Sequence, residues 1–386
     1  MAADEQPALP DICFKGAGGE LHPRAAFLRR GVKSMSRVAI LKGTGYEQGF
    51  QHGEQLREVI WKNVGLVRQF IVDHNVDTVS YNEFNLKDEQ YWINNVPELI
   101  EEMHGIADGS GISYADILLL NLPNYFMKDH FKKQECSMIL ARGDATLDHK
   151  TYIIKNRDMG LYLEQAIMHR EYPDGVRITE VNGAGTVTYP AGGLNSYGVA
   201  ATNTGFWSDK SPSDYDHVGE VASIINSHVI LRSCKTAREG LEWALNLKRM
   251  NGLHLMIADR KEAFLIEITK DDAVVFEDDG SGLMFRSNHF QSEKLKGLNP
   301  TPDKYPSTHF RYARLKELLE EKKGSIRFQD LFRIMSDHEN GVNCICRHPH
   351  PGYPARTMSA TMIVLEDEEV WTTIGNPCEC LPHAAV

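Results

Sequence analysis

The chain has 386 residues and a mass of 43.6 kDa, with 42% hydrophobic and 25% charged residues and no repeat or low-complexity tract. This is a globular composition, long enough for one large domain or two ordinary ones. A formal net charge of −11 leaves no basic footprint for a phosphate backbone, so nucleic acid is excluded as an expected partner. The absence of a basic-then-apolar leader or a run of about 18 apolar residues predicts no membrane partner and a cytoplasmic protein.

Residues 1–36 are rich in Pro and Gly and read as a loosely held arm, with a strand beginning near Arg37 in RVAILKG. From Gly45 the apolar spacing turns helical. It runs through YEQGFQHGEQLREVIWKNVGLVRQFIV, then YWINNVPELIEEMHGIADGSG with its Gly-rich stop, then SYADILLLNLPN opening at a serine cap. Everything before about residue 130 is therefore predicted mainly helical. Gly43, Gly45, Gly49 and Gly53 keep no dinucleotide spacing and no Lys-Ser or Lys-Thr pair follows them, so they predict close helix packing rather than a phosphate cradle.

After residue 136 short strand-like runs take over: CSMILARG, HKTYIIKNRD, QAIMHREY, RITEVNG, GTVTYPAG and YGVAATNTG. Helical segments VASIINSHVILRS and TAREGLEWALNLKRM follow, then strands LHLMIADR, AFLIEIT, AVVFED and LMFRSN. A helical pair, HFRYARLKELLEEKK and RFQDLFRIMSD, precedes the strands TMSATMIVLED and EVWTTIGN. This order of elements predicts an α+β protein with helices packed outside two sheets.

The seven cysteines (Cys13, Cys136, Cys234, Cys344, Cys346, Cys378, Cys380) are an odd number in a long chain, which argues against a disulfide framework. Cys136 opens one strand-like run and Asp158 closes the next, so a hairpin can bring them together; a buried structural cysteine is the competing reading. Asn195, Asn288 and Arg356 interrupt apolar context. Asn288 ends a strand with an amide able to donate to an oxyanion, whereas Asn195, beside glycines, reads first as a turn former. Cys344, Cys346, His348, Cys378 and Cys380 invite a zinc reading. Both cysteine pairs are C-x-C rather than the wider spacing of common zinc sites, so no metal or other cofactor is expected, and Asp337 and His338 read as a helix-end cap.

Taken in order, GYEQGFQHG, ECSMIL with NRDM, GGLNSYGVAATN, FRSNHF, SDHENGVNCICRHP and TMSATMIVL resemble the acyl-coenzyme A:isopenicillin N acyltransferase family of N-terminal-nucleophile hydrolases. The choloylglycine hydrolases and acid ceramidase are more distantly similar. The resemblance implies a four-layer αββα sandwich made as a precursor that cuts itself at Glu135–Cys136, leaving residues 1–135 and 136–386 associated as one structural domain. It implies Cys136 as nucleophile, Asp158 as the carboxylate that orients the new amino terminus, Asn288 as oxyanion donor, Asn195 beside it and Arg356 as a distal arginine.

Lys155 stands where the bile-salt and ceramide branches carry arginine, with Arg157 adjacent to Asp158. The implied substrate is a small-molecule acyl amide, with an acyl-coenzyme A donor and a homo-oligomer both open. On this reading Asn288→Ala is expected to be nearly silent in folding and severe in turnover. Two other readings stay open: a conventional cysteine protease pairing Cys136 with His289 or His338, and a non-catalytic, metal-stabilised binding protein.

Overall fold

The computed structural model describes residues 37–122, 135–161, 163–187, 191–206, 208, 210, 211, 213, 217 and 227–385; the predicted arm over residues 1–36 lies outside them. The expected first strand is β1 (Val38–Lys42), followed by α1 (Gly45–Gln55), α2 (Arg57–Asp73), α3 (Thr78–Asn95), α4 (Pro97–Ser110) and α5 (Tyr114–Asn121). Local chemistry sets these boundaries. Thr44 and Glu47 form a reciprocal capping box before α1, Gly111 ends α4 at φ 70°, and the Ser113 side chain accepts from Asp116 N–H to start α5.

The glycines of α1 pack as their spacing predicts. A Cβ on Gly49 would lie 2.0 Å from Glu102 O, and one on Gly105 of α4 would lie 2.1 Å from Tyr46 O. Only hydrogen at these positions lets the two helix backbones touch.

The remaining elements are β2 (Glu135–Ala141), β3 (Tyr152–Met159), β4 (Gln165–Glu171), β5 (Arg177–Gly183), β6 (Gly192–Asn195), β7 (Ala200–Gly205), α6 (Ser227–Ser233) and α7 (Ala237–Asn246). Then come β8 (Leu253–Ala258), β9 (Ala263–Ile268), β10 (Ala273–Glu277), β11 (Leu283–Arg286), α8 (Pro306–Lys322), α9 (Phe328–Met335), β12 (Arg356–Val364), β13 (Glu369–Thr372) and β14 (His383–Ala385). One expected strand differs: in GTVTYPAG the described residues 185–187 and 191 are turn and irregular backbone, with Gly185 at φ 87°. The apolar run there is spent on Val187 and Ala191, which pack into separate buried clusters rather than pairing in a ladder.

Two sheets result, ordered β1-β4-β5-β6-β7-β8-β9-β10 and β11-β2-β3-β12-β13-β14. Met138, Leu140, Ile153 and Ile363 of the six-stranded sheet meet Val181, Leu194, Met256 and Leu265 of the eight-stranded one in a shared buried layer. Helices α1 to α5 cover one end of the eight-stranded sheet, at Ala39, Ala166 and Met168, while α6 and α7 cover Ile178, Ala201, Leu255 and Ile257. On the outer side of the six-stranded sheet, Leu315, Leu319, Leu331 and Met335 of α8 and α9 pack on Ile139, Ile154 and Met362. The order of layers is helix, sheet, sheet, helix, so the expected αββα sandwich is the fold of this chain. The described residues from 37 onward form one compact unit.

Candidate active site

Strands β2 and β3 pair antiparallel with Glu135 opposite Asp158, Cys136 opposite Arg157 and Ser137 opposite Asn156. Directly opposed residues share a face and successive residues alternate. Because Met138 and Leu140 face the inter-sheet layer, the Cys136 side chain lies on that face with Lys155 and Arg157. Glu135, Ser137 and Asp158 take the other face, toward α8 and α9. The hairpin thus joins Cys136 and Asp158 through the backbone, with thiol and carboxylate on opposite faces.

Around Cys136, which is buried, the polar groups are matched atom by atom. Extending the β11–β2 register by two residues places Asn288 opposite Cys136, and its Oδ1 accepts from the Cys136 backbone N–H at 2.9 Å. The same Oδ1 accepts from Arg311 Nη2 at 2.7 Å, and Nδ2 donates to Gly205 O at 2.7 Å, which fixes the orientation of the amide. Arg311, fully buried on α8, also donates to Cys136 O, to Ser137 Oγ at 3.1 Å and, through Nε, to Ser307 Oγ at 3.1 Å. A guanidinium can do this because it holds five donors in one rigid fork.

Glu135 is fully buried as well. Its carboxylate pairs with Arg347 Nη1 at 2.6 Å and accepts from Tyr353 O–H, while the Arg347 guanidinium lies 4.5 Å over the Tyr353 ring. Residues on both sides of the Glu135–Cys136 bond are therefore clamped by buried arginines. Asp158 Oδ1 accepts from Thr357 Oγ1 at 2.7 Å. On the thiol face, Lys155 Nζ donates to Asn203 Oδ1 at 3.1 Å, and burial lowers its pKa to about 8.

Burial raises the Asp158 pKa from 3.8 to about 7, against the opposing pull of Arg311, Arg347 and the Thr357 hydrogen bond. A carboxyl whose folded pKa is raised binds its proton more tightly in the folded state. Its contribution to stability is complete below pH about 4 and is lost as pH rises to and through about 7. Denaturation midpoints of the wild-type protein are thus expected to fall across that window relative to Asp158→Asn, whose amide does not titrate. Parallel pH curves for the two proteins would show that Asp158 is ionised throughout.

The structure brings Cys136, Glu135, Asp158 and Asn288 into one hydrogen-bonded neighbourhood and does not bring Asn195 there. Leu194 faces the inter-sheet layer, so Asn195 points the other way. It donates to Leu231 O and Cys234 O and accepts from Tyr197 N–H and Val199 N–H, capping α6 and closing the β6–β7 turn. Arg356 opens β12 opposite Met159, with Nη2 3.5 Å from Asn376 Oδ1, while its neighbour Thr357 is the residue that holds Asp158.

His289, one alternative base, is engaged at Nδ1 by Thr308 and at Nε2 by Gln291, and burial pushes its pKa down to about 2. Two site residues escaped the sequence reading, Arg311 and Arg347. Arg311 carried a legible signal: it occupies the buried stripe of α8 with Ser307, Thr308, Leu315 and Leu319, where an apolar residue belongs.

A sequence profile of the family described as acyl-coenzyme A:6-aminopenicillanic acid acyl-transferase matches residues 146–379, more than half of the chain. The chain belongs to this acyl-transferase family. Membership makes it an enzyme of the acyl-transferase class. The profile match begins beyond Cys136, so the acyl-transferase assignment reaches Asp158, Asn288, Arg311 and Arg347 but not the thiol.

Among solved structures, penicillin V acylase from Agrobacterium tumefaciens is similar at 14% identity, covering 62% of this chain and 83% of that one, with a TM-score of 0.42. A mutant conjugated bile acid hydrolase from Clostridium perfringens is similar at 14% identity, covering 65% and 96%, with a TM-score of 0.40. No helix among the described residues is long and apolar enough to cross a membrane.

Proposed function

We propose that this acyl-transferase family member is a self-processing cysteine enzyme that breaks linear N-acyl amides through a thioester on Cys136. The observation that carries the reading is the triangle of Cys136 N, Asn288 Oδ1 and the Arg311 guanidinium, which grips the backbone nitrogen a cut chain would expose as an amine.

In maturation the Cys136 thiol adds to the Glu135 carbonyl carbon, the C–N bond breaks, and the nitrogen leaves as the α-amine carrying the thiol proton. Water then cleaves the thioester, returning the thiol and leaving a carboxylate on Glu135. The Arg347–Glu135 and Arg311–Cys136 contacts hold the two sides of the bond while this happens.

In turnover the α-amine, with a reference pKa of about 7.7–8.0, accepts the thiol proton as sulfur attacks the substrate carbonyl. Asn288 Oδ1 keeps one amine hydrogen engaged, which directs the nitrogen lone pair. Asp158, opposite Glu135, supplies a carboxylate near the new terminus. Asn288 Nδ2 is spent on Gly205 O in the uncut chain, so its service as oxyanion donor requires that bond to be exchanged for the substrate oxygen. The acyl group passes to water in a hydrolase or to an amine in an acyltransferase. An acyl-coenzyme A thioester would load Cys136 by the same attack.

Intact mass of the purified protein tests the reading. The expected result is two associated chains of about 15 and 28 kDa, by share of length, with an N-acyl amide or thiol-directed acyl probe adding only to the fragment that starts at Cys136. One uncut species that still turns over an amide would overturn it.

A further inference from the structure

Four side chains that the proposed chemistry does not use converge on the far side of Arg347. They are His338 just after α9, Cys346 and His348 flanking Arg347, and Cys378 beyond β13, and one ligand atom from each lies within 4.8 Å of all the others. No other group of three or more such side chains gathers among the described residues. We propose that these four residues bind one structural zinc ion.

Two of the spacings come within about 0.3 Å of those in a tetrahedral site. Zinc–sulfur and zinc–nitrogen bonds of about 2.3 and 2.0–2.1 Å place ligand sulfurs about 3.8 Å apart and sulfur about 3.5 Å from nitrogen. Here Cys346 Sγ and Cys378 Sγ are 3.5 Å apart, and His348 Nε2 is 3.2 Å from Cys378 Sγ. A disulfide would need about 2.05 Å between the sulfurs and would leave the two imidazoles without a part.

Further support comes from the groups behind the ligands. His348 turns Nε2 to the cluster and Nδ1 toward Glu379, at 3.6 Å, which sets a carboxylate on the outer side of the imidazole. Asn376 Nδ2 lies 3.6 Å from Cys346 Sγ and donates to Arg347 O at 2.6 Å, so one amide supports both a ligand sulfur and the backbone between two ligands.

Two thiolates balance the charge of Zn²⁺, and binding releases two thiol protons to solvent. Four protein ligands leave no open position for substrate, which makes the ion a staple rather than a catalyst. The C-x-C spacing that argued against metal is bypassed, because each pair contributes only one cysteine and the histidines complete the set. Cys344 instead donates its thiol to Cys346 O. Bound here, zinc ties the α9–β12 connection, on both sides of Arg347, to the β13–β14 connection and so holds the Arg347 guanidinium on Glu135.

Elemental analysis of the purified full chain is expected to give one zinc per chain. Cys346→Ser/Cys378→Ser should fall to near zero, and Cys344→Ser should keep the metal. For wild-type protein, a strong chelator should lower the melting temperature and added zinc should restore it, and cobalt should bring the visible bands of a tetrahedral thiolate site. Metal-free protein whose melting point ignores both chelator and zinc, a Cys346–Cys378 disulfide found by mass, or zinc content unchanged in the double variant would each overturn the assignment. These readouts do not depend on whether Glu135–Cys136 is cut, so the zinc site and the self-processing reading can fail separately.

Discussion

Cys136→Ala should purify as a single chain of 43.6 kDa with amide turnover lowered by at least about 10⁴-fold. The two losses share one cause. Without the sulfur there is no attack on the Glu135 carbonyl, hence no α-amine, and no nucleophile for substrate even where an amine is supplied. Folding should be little affected, because alanine removes a single buried sulfur and, among the described residues, the hydrogen bonds at this position are made by the backbone nitrogen and oxygen. Co-expressing residues 1–135 with a chain that starts at Cys136 separates the steps, since it supplies the amine without self-cleavage. Activity there, beside an inactive Cys136→Ala chain, assigns the sulfur to turnover as well as to maturation. Cleaved and active Cys136→Ala protein would remove this residue from the chemistry.

For Asn288→Ala the expected loss is about 10²–10³-fold in kcat, the usual cost of one oxyanion donor. The structure adds a second effect that the sequence reading did not anticipate. Asn288 is fully buried and its amide serves three partners, Cys136 N–H, Arg311 Nη2 and Gly205 O. Each buried group left unsatisfied costs about 1–3 kcal/mol, so the variant should also melt lower and lose about 2–5 kcal/mol of stability in denaturant titration. Asn288→Asp distinguishes the roles of the two amide atoms. It keeps an oxygen for Cys136 N–H and Arg311 but cannot donate, so stability should recover toward wild type while turnover stays about 10²-fold down. Full recovery of kcat in the aspartate variant would mean that Asn288 acts only as an acceptor. Unchanged stability and kcat in the alanine variant would take it out of the site altogether.

Much of the site was legible along the chain because it is built from short-range pattern. Cys136 and Asp158 sit on consecutive strands, and an antiparallel hairpin must bring the start of one beside the end of the next. Asn288 follows directly on β11, so its place opposite Cys136 depends on only two further residues of register. The serine cap of α5 was readable for the same reason, acting within the first turn of its own helix.

What the residues determined alone was the succession of helices and strands, the α+β class and the pairing of the Cys136 strand with the Asp158 strand, because hydrophobic period and hairpin geometry are local properties. The tertiary structure decided which face each side chain occupies, and so placed the thiol with Lys155 and Asp158 with Glu135. It also decided that Arg311 and Arg347 converge on the Glu135–Cys136 bond and that Asn195 does not. It drew His338, Cys346, His348 and Cys378 into one cluster. A buried charge or a metal ligand set is defined by partners far away in the chain, and only the packing of α8, α9 and two loops against the six-stranded sheet brings those partners within bonding distance.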